Sequence, residues 1–238
     1  MIRLDDLQIN NLKIYQDDSL YNFSTDAVLL ANFVEYNKNS VVVDFCSGNG
    51  VVGILSSSKN YYKKIYLVEI QKNLSELAKK SVTYNNLKDF EIINDDLSNI
   101  LNYIKRESVD VVICNPPYRK KESHIISENE HLNICNYEIK TNLEEIIKNA
   151  SNILKFGGKF YLVNDINRLE ETIILLNKYK FKTKILQIVN PKLNKNANVF
   201  LIKAVKNAKS GIIVPPNLIL NDEDGNFLVK VKKGKDER

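Results

Sequence analysis

From residue 41 to residue 205, short apolar runs alternate with longer stretches whose apolar residues recur at helical spacing. Residues 41–46 (VVVDFC) form a continuous apolar run, the pattern of a strand buried on both faces. A glycine-rich turn follows, then a short helix to residue 58. Residues 64–70 (KIYLVEI) read as a second strand, and 71–86 place Leu74, Leu77, Ala78 and Val82 on one helical face. A third strand (90–97), a short helix (97–106) and a fourth strand (109–114, VDVVIC) come next. After a long polar loop, a helix over 143–155 is expected to stop at Gly157-Gly158. Residues 159–164 read as a fifth strand and 168–179 as a helix. Strands over 182–189 and 198–205 have no helix between them, so they form an antiparallel pair.

Strand–helix alternation predicts parallel strands with right-handed crossovers, and the closing pair predicts one reversed strand. The expected fold is α/β: a doubly wound, seven-stranded, mostly parallel sheet with one antiparallel strand. Residues 36–207 would form this Rossmann-like domain. Residues 1–35 read as an accessory segment, a hairpin around Asn10-Asn11 and then a helix over 26–34. Residues 208–238 read as a surface-packed extension, with turn signals at Pro215-Pro216 and NDEDGNF and a frayed charged end.

Composition narrows the class. With 44% hydrophobic residues the chain can bury a core, which excludes global disorder. No apolar run reaches the roughly 18 residues of a membrane span. The start has early acids and no apolar signal region, so a cytoplasmic location is expected. Cys46, Cys114 and Cys135 are widely spaced, and His124 and His131 are the only histidines. A zinc site needs about four clustered ligands, so the cysteines read as reduced thiols and no metal is expected. The net charge of +5 is a weak sign of an anionic partner, because a Lys- and Asn-rich chain can also reflect genome base bias.

The candidate chemistry begins at Asp44-Phe45-Cys46-Ser47-Gly48-Asn49-Gly50-Val51-Val52-Gly53, a G-x-G-x-x-G turn directly after a strand. Glycines there let the backbone turn tightly and approach a nucleotide-like ligand. Glu69, at the end of the second strand, is placed to accept hydrogen bonds from ribose hydroxyls. Asp44 would repel a pyrophosphate but suits the ammonium of a methionine moiety. That favours S-adenosyl-L-methionine, with S-adenosyl-L-homocysteine as product, over a dinucleotide. Of Asp95-Asp96, Asp96 is chosen to accept from the adenine amino group of the cofactor; a helix N-cap is the competing role.

The fourth strand runs into Asn115-Pro116-Pro117-Tyr118. An aromatic amino nitrogen is a poor nucleophile because its lone pair is delocalised into the ring. The Asn115 carboxamide and the Pro116 carbonyl can each accept one of its N–H bonds and localise that lone pair. The prolines preorganise the acceptors, and Tyr118 offers a flat face for an extruded base. Transfer is then an in-line displacement driven by alignment, without a metal or a covalent intermediate.

With these residues the chain resembles the class I, Rossmann-like methyltransferases with an NPPY motif. It most resembles the tRNA adenine-N6 family that modifies the adenosine 3′ of the anticodon. The resemblance covers nearly the whole chain: Phe23-Ser24-Thr25-Asp26-Ala27-Val28-Leu29-Leu30, DFCSGNG, NPPY, Val214-Pro215-Pro216 and Asp222-Glu223-Asp224-Gly225. It implies that Asp44, Gly48, Glu69, Asp96 and Asn115 contact cofactor or target base, with Ser47 and Gly50 in the same turn. It also implies that Thr25-Asp26 close over the cofactor. Two positions depart from the family: Tyr137-Glu138 stands where His-Glu is common, and only Arg168 remains of a His-Arg-Pro segment.

Basic residues cluster at Lys59 with Lys63-Lys64, at Arg119-Lys120-Lys121, at 178–184, and at Lys203 with Lys206 and Lys209. Arg119, Lys120 and Lys121 follow the tetrapeptide and are expected to position an RNA strand through phosphates. The expected partner is the anticodon loop of a tRNA, where extruding an adenosine costs little; no obligate protein partner is implied. The alternatives are N5-methylation of a release-factor glutamine, N6-adenine methylation of ribosomal RNA or DNA, and a non-catalytic nucleotide-binding module. Basic charge beside the pocket and the lack of an N-terminal helical docking domain argue against the glutamine substrate. DNA enzymes usually carry a separate recognition domain.

Overall fold

The computed structural model describes residues 1–20, 22–59, 62–118, 141–226 and 228. The chain opens with an antiparallel hairpin, β1 (Ile2–Asp6) and β2 (Lys13–Asp17), followed by α1 (Thr25–Phe33). Then come β3 (Ser40–Phe45), α2 (Val51–Ser57), β4 (Tyr62–Val68), α3 (Lys72–Tyr84) and β5 (Phe90–Ile93). A 3₁₀ turn (Leu97–Asn102) leads to β6 (Val109–Cys114). After residue 140 follow α4 (Leu143–Ile153), β7 (Leu154–Asp165), a 3₁₀ turn (Ile166–Arg168), α5 (Leu169–Lys178), β8 (Phe181–Asn190), β9 (Val199–Lys206) and β10 (Leu218–Ile219).

The main sheet runs β10-β8-β9-β7-β6-β3-β4-β5. All neighbours are parallel except β9, which is antiparallel to both β7 and β8. The continuous apolar runs are explained by burial on both faces. Val42, Val111, Ile113, Tyr161 and Val163 join α1 and α2 in one core. Their sequence neighbours Val43, Val112, Cys114, Phe160 and Leu162 join α4 and α5 in the other. This is the doubly wound α/β architecture expected from the sequence, with the reversed strand where the helix-free connection put it.

Two details differ. The sheet has eight strands, not seven. Pro215-Pro216 hold the tail extended, and Leu218-Ile219 then pair with Val189 and Asn190 at the edge of β8. The glycine pair does not stop α4, which ends where Leu154 turns extended (ψ 137°). Gly157 and Gly158 lie inside β7, between the pairs Val109↔Leu154 and Val111↔Lys159. Gly157 takes φ +74° at this irregularity, as a bulge requires. Among the described residues no helix is long and apolar enough to cross a membrane.

Candidate cofactor and catalytic site

β3 and β6 lie side by side, with Phe45 opposite Cys114. The turn after β3 and the tetrapeptide after β6 therefore leave the sheet together, at the carboxyl-end crevice where open α/β sheets bind ligands. Between them lies a cavity of about 220 Å³. Gly48 takes φ +56°, and nothing lies within 4 Å of where its Cβ would stand. Gly53 has the opposite environment: a Cβ there would meet Leu67 Cδ2 at 2.4 Å. This close approach lets α2 pack on β4 and point its first turn at the cavity.

Glu69, directly after β4, ties the turn after β3 to the segment after β4. Its Oε2 accepts from the Gly48 amide (2.8 Å) and its Oε1 from the Gln71 amide (2.9 Å). The Ile70 amide also lowers its pKa by hydrogen bonding, and the carboxylate keeps acceptor capacity for a ligand hydroxyl. Burial pushes this carboxyl's pKa upward, against those amide bonds. Asp44 stands behind the turn. Its Oδ2 accepts from the Gly53 amide (2.8 Å), while its Oδ1 has no hydrogen-bond partner among the described residues. Burial pushes its pKa to about 8, with the Glu69 charge adding to the rise.

Asp95 is committed locally, accepting from Asn99 and the Asp96 amide at Oδ1 and from the Tyr103 hydroxyl at Oδ2. Asp96 Oδ1 caps the 3₁₀ turn through the Ser98 amide (2.8 Å). The capping role and a place on the cavity wall are thus combined in one residue.

On the other side, the Tyr118 hydroxyl lies 2.9 Å from Asn115 Oδ1 and 2.9 Å from Asp26 Oδ2. Pro116 and Pro117 are buried. Arg168, also buried, donates to the Tyr118 carbonyl (3.3 Å) and grips the Glu171 carboxylate with Nε and Nη2. The segment after β6 is thereby clasped to the start of α5.

Of the residues singled out from the sequence, Ser47, Gly48, Glu69, Asp96, Asn115, Pro116, Tyr118 and Asp26 line one cavity. Asp44, Gly50 and Thr25 do not line it. Arg119, Lys120, Lys121, Cys135 and Tyr137-Glu138 lie outside the described residues. Sequence reasoning missed Ser24 and Gln71, which also line it. Ser24 sits at a helix start and reads as a cap, yet it makes no capping bond; its buried Oγ has no partner among the described residues.

The charge pattern decides the cofactor class. The ionisable carboxyls of the wall are Asp26, Glu69, Asp95 and Asp96, and among the described residues no Lys, Arg or His lines it. Such a wall repels a pyrophosphate and suits a ligand carrying sulfonium and ammonium charges. The Ser24 and Ser47 hydroxyls, unpartnered among the described residues, and the open space over Gly48 fit S-adenosylmethionine at this place.

Strand order, the single reversed strand and this cleft define the class I methyltransferase fold. A crystal structure described as a predicted O-methyltransferase from Agrobacterium tumefaciens superposes with a TM-score of 0.69 at 20% identity, over 86% of this chain and 92% of that one. The chain belongs to the methyltransferase small domain family, whose model matches residues 22–187. It is 28% identical over 172 residues to a release factor glutamine methyltransferase of Mycoplasma mycoides, over 65% of this chain and 59% of the relative. It is 25% identical to ribosomal RNA large subunit methyltransferase G of Yersinia enterocolitica, over 79% of this chain and 42% of the relative. The chain thus spans about half the length of these two relatives. It is 23% identical to the tRNA1(Val) (adenine(37)-N6)-methyltransferase of Dyadobacter fermentans, over 89% of this chain and 87% of that one.

Proposed function

We propose that this protein transfers a methyl group from S-adenosylmethionine to N6 of an adenosine in tRNA, the purine 3′ of the anticodon. The observation that carries the reading is the Asn115 carboxamide opening into an acid-walled cleft beside the glycine turn. When bound, S-adenosylmethionine supplies an electrophilic methyl carbon. Glu69 and Asp96 would orient its ribose and adenine. Asn115 Oδ1 and the Pro116 carbonyl would accept the two N–H bonds of the target amine and aim its lone pair in line with that carbon. Tyr118 would stack on the extruded base. The adenine-directed relative supports the substrate because it matches over most of both chains.

The sheet also supports an RNA-facing rim. The loop between β8 and β9 lies at the carboxyl end of the parallel strands, as the cleft does, because Val189 and Asp165 both face Val199. Its Asn194, Lys195 and Asn196 are exposed, and Lys192 stands beside them. The sequence did not single out this loop. The described basic clusters lie at the other end. Lys63 and Lys64 are at the start of β4, Lys180 and Lys182 at the start of β8, and Lys206 and Lys209 at the end of β9 or beyond. Lys64, Lys178, Lys203 and Lys206 are also ion-paired, with Glu91, Glu144, Glu35 and Glu107.

The test is methyl transfer from labelled S-adenosylmethionine to tRNA lacking its own modifications, followed by nucleoside analysis. The expected result is labelled N6-methyladenosine next to the anticodon, reduced in Asn115→Ala by on the order of a hundredfold or more. Incorporation into a release factor or ribosomal RNA instead would keep the chemistry and overturn the substrate.

A further inference from the structure

The Tyr118 hydroxyl has a single proton and faces two acceptors at equal reach. Asp26 Oδ2 and Asn115 Oδ1 each lie 2.9 Å away. It can donate to only one of them at a time, and the two outcomes differ for the site. If the proton goes to Asp26, Asn115 Oδ1 offers both lone pairs to the substrate amine. If it goes to Asn115, one lone pair is occupied and the oxygen is a weaker acceptor.

The charge on Asp26 sets the choice. An ionised carboxylate is the stronger acceptor and takes the phenol proton. A carboxylic acid is itself a donor. Having gained a proton from solvent, Asp26 donates it to the Tyr118 oxygen, and the phenol's own proton turns to Asn115. We propose that Asp26 is a positioning residue that sets, through the Tyr118 hydroxyl, how strongly Asn115 accepts from the substrate amine. This rests on the reading of Asn115 as the amine acceptor.

The surroundings shift this switch upward in pH. Burial raises the pKa of Asp26 above the ordinary carboxylate value, the Tyr118 hydrogen bond opposes the rise, and the nearby Asp165 charge adds to it. Among the described residues, Tyr118 from the segment after β6 and Asp165 from the end of β7 are the titratable groups facing Asp26. Arg168, which donates to the Tyr118 carbonyl, is engaged with Glu171. The closed state is therefore the acid one, and the rate should fall as pH drops through the raised pKa of Asp26.

The experiment measures kcat against pH for the wild type, Asp26→Asn, Tyr118→Phe and the double variant. The carboxamide of Asp26→Asn can donate to the Tyr118 oxygen, as the protonated acid does. It should hold the closed state at every pH, costing one hydrogen bond's worth of rate, about tenfold, with no acid limb. Tyr118→Phe should also lack the acid limb. The double variant should recover the tenfold loss and run at the rate of Tyr118→Phe alone. A loss that persists in the double variant, or an acid limb that survives in either single variant, would overturn the proposal. A second readout needs no methyl acceptor. The ultraviolet titration of Tyr118, isolated by difference from Tyr118→Phe, should lie at higher pH in the wild type than in Asp26→Asn. Equal titrations would sink the switch, whereas absent tRNA methylation with shifted titrations would sink only the substrate.

Discussion

Asp44 is a carboxyl group shut away from water, with one oxygen on the Gly53 amide and the other unpartnered among the described residues. Its pKa stands at about 8 in the folded chain, against 3.8 ordinarily, so the folded state holds the extra proton between those values. Stability is therefore full below the unfolded pKa and declines as pH rises through the folded one. Urea unfolding of the cofactor-free protein should show this decline. Asp44→Asn, which keeps an acceptor for Gly53, should remove much of it, raising stability near pH 8 and leaving it little changed near pH 4. The sequence made Asp44 visible as an acid before a glycine turn. It did not show that the residue stands behind the cavity wall, because that depends on how closely α2 lies against β4.

That packing belongs to the element scale. α2 approaches β4 through Gly53, where a methyl group would stand 2.4 Å from Leu67 Cδ2 and 3.2 Å from Asp44 Oδ2. Gly53→Ala should cost about 1–3 kcal/mol of stability and weaken S-adenosylmethionine binding by pushing the Gly48 turn off Glu69. Thermal unfolding and equilibrium titration would measure the two effects. Strands and crossovers were legible in the chain because runs such as VVVDFC and VDVVIC have no polar face to leave in water. The contact between Asp26 and Tyr118 was not legible as a contact, since it joins a helix start to a turn 92 residues away. The 191–197 loop was read only as a strand connection, because its position beside the cleft depends on β9 running backwards.

At the scale of the whole molecule, basic charge is divided between two ends of one sheet. Neutralising Lys192 and Lys195 at the cleft end should raise KM for tRNA about tenfold and reduce the salt dependence of binding by roughly one unit of slope per lysine. Neutralising Lys182 and Lys184 on the far part of β8 should leave both unchanged. Filter binding across a salt series would separate the two outcomes; equal effects would remove the loop from the RNA surface.

The short strand β10 has a consequence of its own. β8 would otherwise end the sheet with a row of open amide and carbonyl groups, a template on which a second chain could extend the sheet. Ile213, hydrogen-bonded to Lys184 and Leu186, and Leu218-Ile219 cover that row. The covering strand is only two residues long, with Pro215-Pro216 before it and Asp222-Glu223-Asp224 after it. A strand so short, flanked by proline and negative charge, is itself a poor template. The tail thus covers the β8 edge and removes it as a ready template for another strand.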